Sequence, residues 1–435
     1  MNKVIKNASW IIICRVIQAL LALIISMITA RYLGPSNYGL LNYIISIVAF
    51  VLPVMKLGIT SILVQEFISE PEKEGETLGT SLVLCFISAI VCIIGVNLFV
   101  RLSNTGEQDT IIVCALYSSI LIFQVFEMIN YWFQAKLLAK YSSIVALIAY
   151  VIVSIYKIYL LITQKNIYWF SVANTFDYLI IAVGLLYIYK QKSTQKLCFN
   201  KEKAMKLLST SKYYIISDLM VVIFAQTDRV MLKAMINNEA TGYYSAAITC
   251  AGMSQFVFAA IIDSMRPTIF EKKKTSEEMY MLNLVRLFSI ITYLSLAQSV
   301  VMTLLAPIIV QLLYGVQYLE SVSALQIVVW YTTFSYLGSA RNIWILAEGK
   351  QKYLWKINLF GAFANVILNV LLIPFIGING AALASLITQF LTNIVTGYIF
   401  SPIRGVNFFI LQGFNPKQFI NVIYTIFLQI KKNKI

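Results

Sequence analysis

Six bases and five acids stand inside long apolar runs of this sequence: Arg15, Lys56, Lys157, Arg229, Arg286 and Arg341, and Glu127, Asp177, Asp218, Asp228 and Asp263. A charge in hydrocarbon is costly enough that such residues face a cavity or a partner. The chemistry open to them is binding and ion exchange. A base at that depth can hold a phosphate or pyrophosphate, and Arg15, Lys56, Arg229 and Arg341 are the candidates. For Arg15, Lys56 and Arg341, in the inner halves of their runs, the bland alternative is snorkelling to the inner head groups. An acid without a partner can take up H+ or Na+, which makes Glu127, Asp177, Asp218 and Asp228 candidates for ion coupling. Asp228 and Arg229 are adjacent, about 100° apart around a helix, so they cannot simply face each other. Asp263 and Arg266, three residues apart, read as a local ion pair.

Other chemistries are missing from the sequence. It has no histidine, which removes imidazole metal sites, Ser-His nucleophiles and His proton relays. Its six cysteines include no CxxC pair, and five of them lie in apolar runs. No Gly-rich stretch precedes a Lys-Ser/Thr pair, so no phosphate loop is expected. No metal or organic cofactor is expected.

The elements that must position these charges are spanning helices. Of 435 residues, 59% are hydrophobic and 12% charged, and the mean hydropathy is +0.79. Soluble domains carry about 25% charged residues. The apolar runs are continuous, which excludes a β-barrel with its alternating segments. Twelve spans are predicted: about 8–30, 38–64, 78–100, 110–134, 141–163, 167–189, 213–236, 242–265, 282–312, 322–346, 355–376 and 378–400. The net charge of +15 gathers in alternate connections, above all the lysines between 190 and 212, while the others hold only Arg31, Arg101, Lys165 and Lys233. By the rule that cytoplasmic loops collect bases, both termini are cytoplasmic. The charge therefore needs no nucleic acid to explain it.

The 190–212 connection divides the chain into an N-terminal six-helix bundle, 1–189, and a C-terminal one, 213–400. A tail, 401–435, follows, with an interfacial helix expected over Pro416–Ile430. The halves resemble each other. Tyr38-Gly39 opens the second span as Thr241-Gly242 opens the eighth; Trp132, Ala135 and Lys140-Tyr141 correspond to Trp344, Ala347 and Lys352-Tyr353. Six spans per half keep the repeats parallel, an arrangement that leaves a central cleft and suits alternating access.

The stretch Ile28-Thr29-Ala30-Arg31-Tyr32-Leu33-Gly34-Pro35-Ser36-Asn37-Tyr38-Gly39 resembles the opening of polysaccharide flippases. Thr227-Asp228-Arg229-Val230-Met231-Leu232, followed by Gly242-Tyr243-Tyr244-Ser245-Ala246-Ala247, resembles their seventh and eighth spans. The chain is similar to O-antigen flippases of the Wzx type, in the superfamily of multidrug extruders and lipid II flippases. That resemblance implies an all-α, twelve-helix, MATE-like protein of the bacterial inner membrane that is not an enzyme. It would pass an O-antigen repeat, linked to undecaprenyl pyrophosphate, from the cytoplasmic to the periplasmic leaflet. It also implies work beside a polysaccharide polymerase and a chain-length regulator. The nearest rival is a multidrug or cation antiporter of the same superfamily. A membrane polymerase or glycosyltransferase would need a larger external surface than the short external loops offer.

Overall fold

The computed structural model describes residues 3–421 and 424; for residues 3–13 and 15 it describes the backbone alone. Among the described residues every regular element is helical. In chain order these are α1 Lys3–Met55, α2 Thr60–Ser69, α3 Glu74–Ser103, α4 Gln108–Ser118, α5 Ile120–Gln124, α6 Met128–Ala135, α7 Ala139–Ile162 and α8 Ile167–Lys192. There follow α9 Lys201–Met235, α10 Asn238–Ala251, α11 Gln255–Thr275, α12 Glu277–Tyr314, α13 Ser321–Ala347, α14 Leu354–Phe390, a π-helical turn Leu391–Val395, α15 Thr396–Ile399 and α16 Val406–Gly413.

Among the described residues, eight helical stretches are long and apolar enough to cross a membrane. Two of these, Val16–Ser69 and Gln351–Ile399, each contain two of the expected spans. Backbone breaks separate them, at Gly34 (φ 72°, ψ 168°) before Pro35, and at Ile376–Gly377 (φ 58° at the glycine) after Pro374. Helices α9 and α13 complete the twelve. α9 is too charged to read as a span by apolarity alone, since Lys206, Lys212, Asp218, Asp228, Arg229 and Lys233 all lie on it.

The chain divides into two compact units, Met1–Lys233 and Ala234–Ile435. In the first, α9 is stitched along its length. Lys203, almost fully buried, reaches Glu66 and Glu70 at 2.8 and 2.9 Å. Ser211 Oγ donates to the Leu57 carbonyl, Ser46 Oγ to Gln226, and Lys233 to Glu107 at 2.6 Å. The expected 190–212 linker is therefore mostly ordered helix and its flank. α8 runs to Lys192 and α9 starts at Lys201. The short stretch between them is hydrogen-bonded to the start of α3: Cys198 N–H donates to the Gly75 carbonyl and Asn200 N–H to Thr80 Oγ1.

The second unit has its apolar core among α11, α12, α13 and α16. The first part of the predicted tail belongs to that core. Val406, Phe409 and Ile410 are buried, and Phe409 stacks on Phe288 with ring centroids 6.4 Å apart. Residues 416–421 are helical as expected, and the rest of the expected interfacial helix lies outside the described residues.

The internal repeat survives hydrogen bond for hydrogen bond where α6 and α13 end. In the first unit Lys136 N–H donates to the Trp132 carbonyl, Leu138 to Phe133 and Tyr141 to Leu138. In the second, Glu348 donates to Trp344, Lys350 to Ile345 and Tyr353 to Lys350. The residue that turns left-handed is Leu137 (φ 55°) in one and Gly349 (φ 64°) in the other, the usual way a helix closes its last carbonyls.

Candidate functional site: the charged interior of the N-terminal unit

Lys56 owes its position to a broken helix. α1 ends at Met55 and α2 begins at Thr60, inside what hydropathy reads as one span, 38–64. Between them Leu57 (φ 53°) and Gly58 (φ 65°) are both left-handed. A side chain at Gly58 would also meet the Ser211 carbonyl, its Cβ only 2.4 Å away. Backbone that leaves the helix at membrane depth must find other partners. Here it does: Ser88 Oγ donates to the Val54 carbonyl, Cys85 Sγ lies 3.8 Å from the Lys56 carbonyl, and Ser211 caps Leu57.

The partner of Lys56 comes from a second interruption. The 3₁₀ turn Val125–Glu127 separates α5 from α6, and Glu127 Oε2 sits 3.0 Å from Lys56 Nζ. Each side chain keeps 26% of its surface exposed, so the pair is reachable and not sealed in the core. Tyr131 and Tyr178 lie within electrostatic reach of the ammonium, and Asp218 on α9 is within reach as well. One turn away on α8, Asn174 accepts a hydrogen bond from Lys157 Nζ at 2.9 Å. Asp177 is the acid that Lys157 feels, and Asp177 Oδ1 has no hydrogen-bond partner among the described residues. The arrangement is one direct ion pair, one pair relayed through an amide, and a third acid. An incoming anion can take Lys56 from Glu127. An incoming cation can take Glu127, Asp177 or Asp218.

The candidates from the sequence are not gathered at one place. Lys56, Glu127, Asp177 and Asp218 are brought together. Arg15 lies on α1, its side chain outside the described residues. On α9, Asp228 is buried and Arg229 half-buried; Arg229 Nη1 donates to Gln226 Oε1 at 2.8 Å, and the same oxygen accepts from Ser46 at 3.0 Å. Lys157 is engaged with Asn174. Arg341 is buried in the second unit among neutral groups: Nη1 donates to the Thr392 carbonyl in the π turn, Nη2 to Asn342, and Nε has no partner among the described residues. The guanidinium clamps a carbonyl within an irregular helical turn. Asp263 and Arg266 form the expected local pair at 2.9 Å. Asn174 and Tyr178 escaped the sequence reading, although Asn174, Asp177 and Tyr178 share one helix face by their i, i+3, i+4 spacing.

The family model described as "Polysaccharide biosynthesis protein" matches residues 4–273. The chain belongs to that family. Capsular polysaccharide biosynthesis protein CapF of Staphylococcus aureus is 22% identical over 410 residues, covering 92% of this chain and 100% of that one. Among solved structures, lipid II flippase MurJ in an inward closed conformation is similar with a TM-score of 0.72 at 14% identity, covering 96% of this chain and 91% of its own. An inward-facing multidrug resistance MATE family transporter of the MOP superfamily is similar with a TM-score of 0.64 at 13% identity, covering 89% and 94%. At such identities the likeness concerns the fold, and it is the twelve-helix MATE-like fold read from the sequence. With the family it makes this chain a multi-pass membrane protein of polysaccharide biosynthesis.

Proposed function

We propose that this polysaccharide-biosynthesis family member passes a surface-polysaccharide repeat unit, such as an O-antigen repeat linked to undecaprenyl pyrophosphate, from the cytoplasmic to the outer leaflet by alternating access. The observation that carries the reading is the half-exposed Lys56–Glu127 pair, set at two helix interruptions. A pyrophosphate cannot cross about 30 Å of hydrocarbon unaided, and an ammonium held by an exchangeable carboxylate is a fitting counter-charge for it. The prenyl chain can remain in lipid. Release of Glu127 as the head group arrives would leave a carboxylate ready to take H+ or Na+, which links the coupling acids Glu127, Asp177, Asp218 and Asp228 to substrate entry. The protein then sits in a bacterial inner membrane, termini on the cytoplasmic side, and feeds a polymerase and its chain-length regulator.

Deleting the gene tests this directly. Lipid-linked oligosaccharide should accumulate on the cytoplasmic side and disappear on complementation; unchanged lipid-linked intermediates would defeat the proposal. A second reading, a MATE-type cation antiporter, is favoured by one observation: around Lys56 and Lys157 the acids Glu127, Asp177 and Asp218 outnumber the bases. It predicts cation efflux from cells that make no surface polysaccharide.

A further inference from the structure

Helices α11 and α13 of the second unit enclose a cavity of about 310 Å³. That is the lower end of the range for small-ligand sites. Its floor is an aromatic stack, Phe258 on Tyr336, with ring centroids 3.9 Å apart and planes 14° from parallel. Its walls are mixed: Ile248 and Ala259 stand beside Gln255, Thr332, Ser335 and Ser339. Ser335, half-buried, and Gln255, exposed, line it, so a hydroxyl and a carboxamide can be reached from the opening. At the rim, Asp263 and Arg266 satisfy each other through a single 2.9 Å contact and remain about half exposed.

These features select the ligand. The charges at the rim cancel, so neither a phosphate nor an organic cation finds a net counter-charge. The hydroxyl and amide groups would be stranded by an acyl or prenyl chain. A neutral polyol with one apolar face satisfies both halves: the apolar wall of Ile248 and Ala259, backed by the buried aromatic stack, for its C–H face, and amide, hydroxyl and charged side chains for its hydroxyls. We infer that this cavity seats a sugar residue of the transported glycan and sets which glycans are accepted. The inference rests on the lipid-linked oligosaccharide reading above and adds a place for the sugar, apart from the Lys56–Glu127 pair of the first unit.

The test uses the full-length protein in nanodiscs and two probes: the lipid-linked oligosaccharide purified from the deletion strain, and undecaprenyl pyrophosphate without sugar. Tyr336→Leu, Ser335→Ala and Gln255→Ala should each weaken binding of the sugar-bearing lipid by about tenfold or less. They should leave binding of the bare lipid within about twofold. Lys56→Ala should weaken both. Ser335→Ala and Gln255→Ala touch only solvent-reachable groups, so they report on the site even if the buried Tyr336 variant folds poorly. Equal effects on both probes, or none on either, would overturn the sugar seat while leaving the flippase reading intact. Wild-type protein that binds neither probe better than phosphatidylglycerol would overturn both.

Discussion

The two units solve the same joint with opposite charges. The repeat aligns Glu74 with Glu277, Glu70 with Lys273, and Lys136 with Glu348. In the first unit the acid is on the α3 side: Glu74 pairs with Lys136 at the end of α6 and accepts from the Trp132 indole. In the second the acid has moved to the end of α13: Glu348 pairs with Lys273 at 2.8 Å and accepts from the Tyr280 hydroxyl at 2.9 Å. Each joint sets a base and an aromatic donor on one acid, and in the second Lys273 also holds Glu277, the counterpart of Glu74, at 3.3 Å. What the repeat conserves is a set of complementary polar groups at a point where helix ends meet, and the residue identities are free to trade sides. The joints differ in burial. Glu74 keeps 7% of its side-chain surface, Glu348 22% and Lys273 28%.

The largest effect should come from the drier joint. Glu74→Ala strands the buried Trp132 N–H and is expected to cost about 2–3 kcal/mol, while Glu348→Ala strands the buried Tyr280 hydroxyl but removes a carboxylate that is itself more exposed, and should cost about 1–2 kcal/mol. Thermal unfolding of purified protein measures both. Exchanging the charges, Glu74→Lys with Lys136→Glu, restores an opposite pair with the acid at the end of α6, as in the second unit, and should recover part of the Glu74→Ala loss. Equal losses in the two joints would show that burial does not govern them.

The next effect concerns the pair that only the first unit has. Lys56→Ala or Glu127→Ala alone leaves a charge with no direct partner, at an expected cost of about 1–2 kcal/mol, and the double variant should be milder than either single one. Transport separates the roles. A purely structural pair would regain export in the double variant; a Lys56 that meets the head group would leave export low while stability returns.

A still smaller difference lies in the backbone. Leu137 and Gly349 hold the same left-handed position, and only glycine adopts it without strain. Leu137 is 66% exposed, so Leu137→Gly loses little burial. It should stabilise the first unit by about 0.5–1 kcal/mol, and Gly349→Ala should destabilise the second by a similar amount. Chemical denaturation of the variants measures both signs.

These contrasts also mark what sequence could reach. Twelve spans, the two-fold repeat and the local Asp263–Arg266 pair follow from hydropathy and spacing, because those signals are local. The charged site does not. Lys56 and Glu127 are 71 residues apart, and each is placed by a helix interruption within an apolar run. Hydropathy registers Leu57 and Gly58 as ordinary span residues and is blind to their φ. Arg341 looked like a cleft base because its chemistry is that of one; that a π turn offers it the Thr392 carbonyl depends on backbone geometry more than fifty positions downstream. The lysines of 190–212 read from the sequence as a cytoplasmic connection. Their role as anchors of α9 depends on Glu66 and Glu70, acids that composition alone assigns to solvent.

That anchor yields the smallest effect, and its sign follows from linkage. Hydrogen bonds from Lys206 and then Lys203 hold the Glu70 carboxyl down at about 2, against an ordinary 4.5. A carboxylate depressed in the folded state stabilises fully above its unfolded pKa, and that stabilisation is lost as pH falls from about 4.5 through about 2. Glu70 is one-third exposed, and Glu66 would still hold Lys203 at 2.8 Å in its absence, so no buried ammonium is stranded. Exposed pairs of this kind contribute little. Glu70→Gln should therefore lower the melting temperature by only about 1–3 °C at neutral pH. The difference from wild type should stay flat down to about pH 5 and close progressively below it. In the second unit the aligned residue is Lys273, a base that does not titrate in this window, so the closing of the Lys273→Gln difference in acid comes from the carboxylates it holds. Its partner Glu348 is pulled in two directions, upward by burial and downward by hydrogen bonds from Lys273 and Tyr280, with a net lowering. If Glu70→Gln and wild type instead diverged as the pH fell towards 3, the Glu70 carboxyl would be protonated more readily in the fold than outside it, and the anchor would have to be assigned to Glu66 alone.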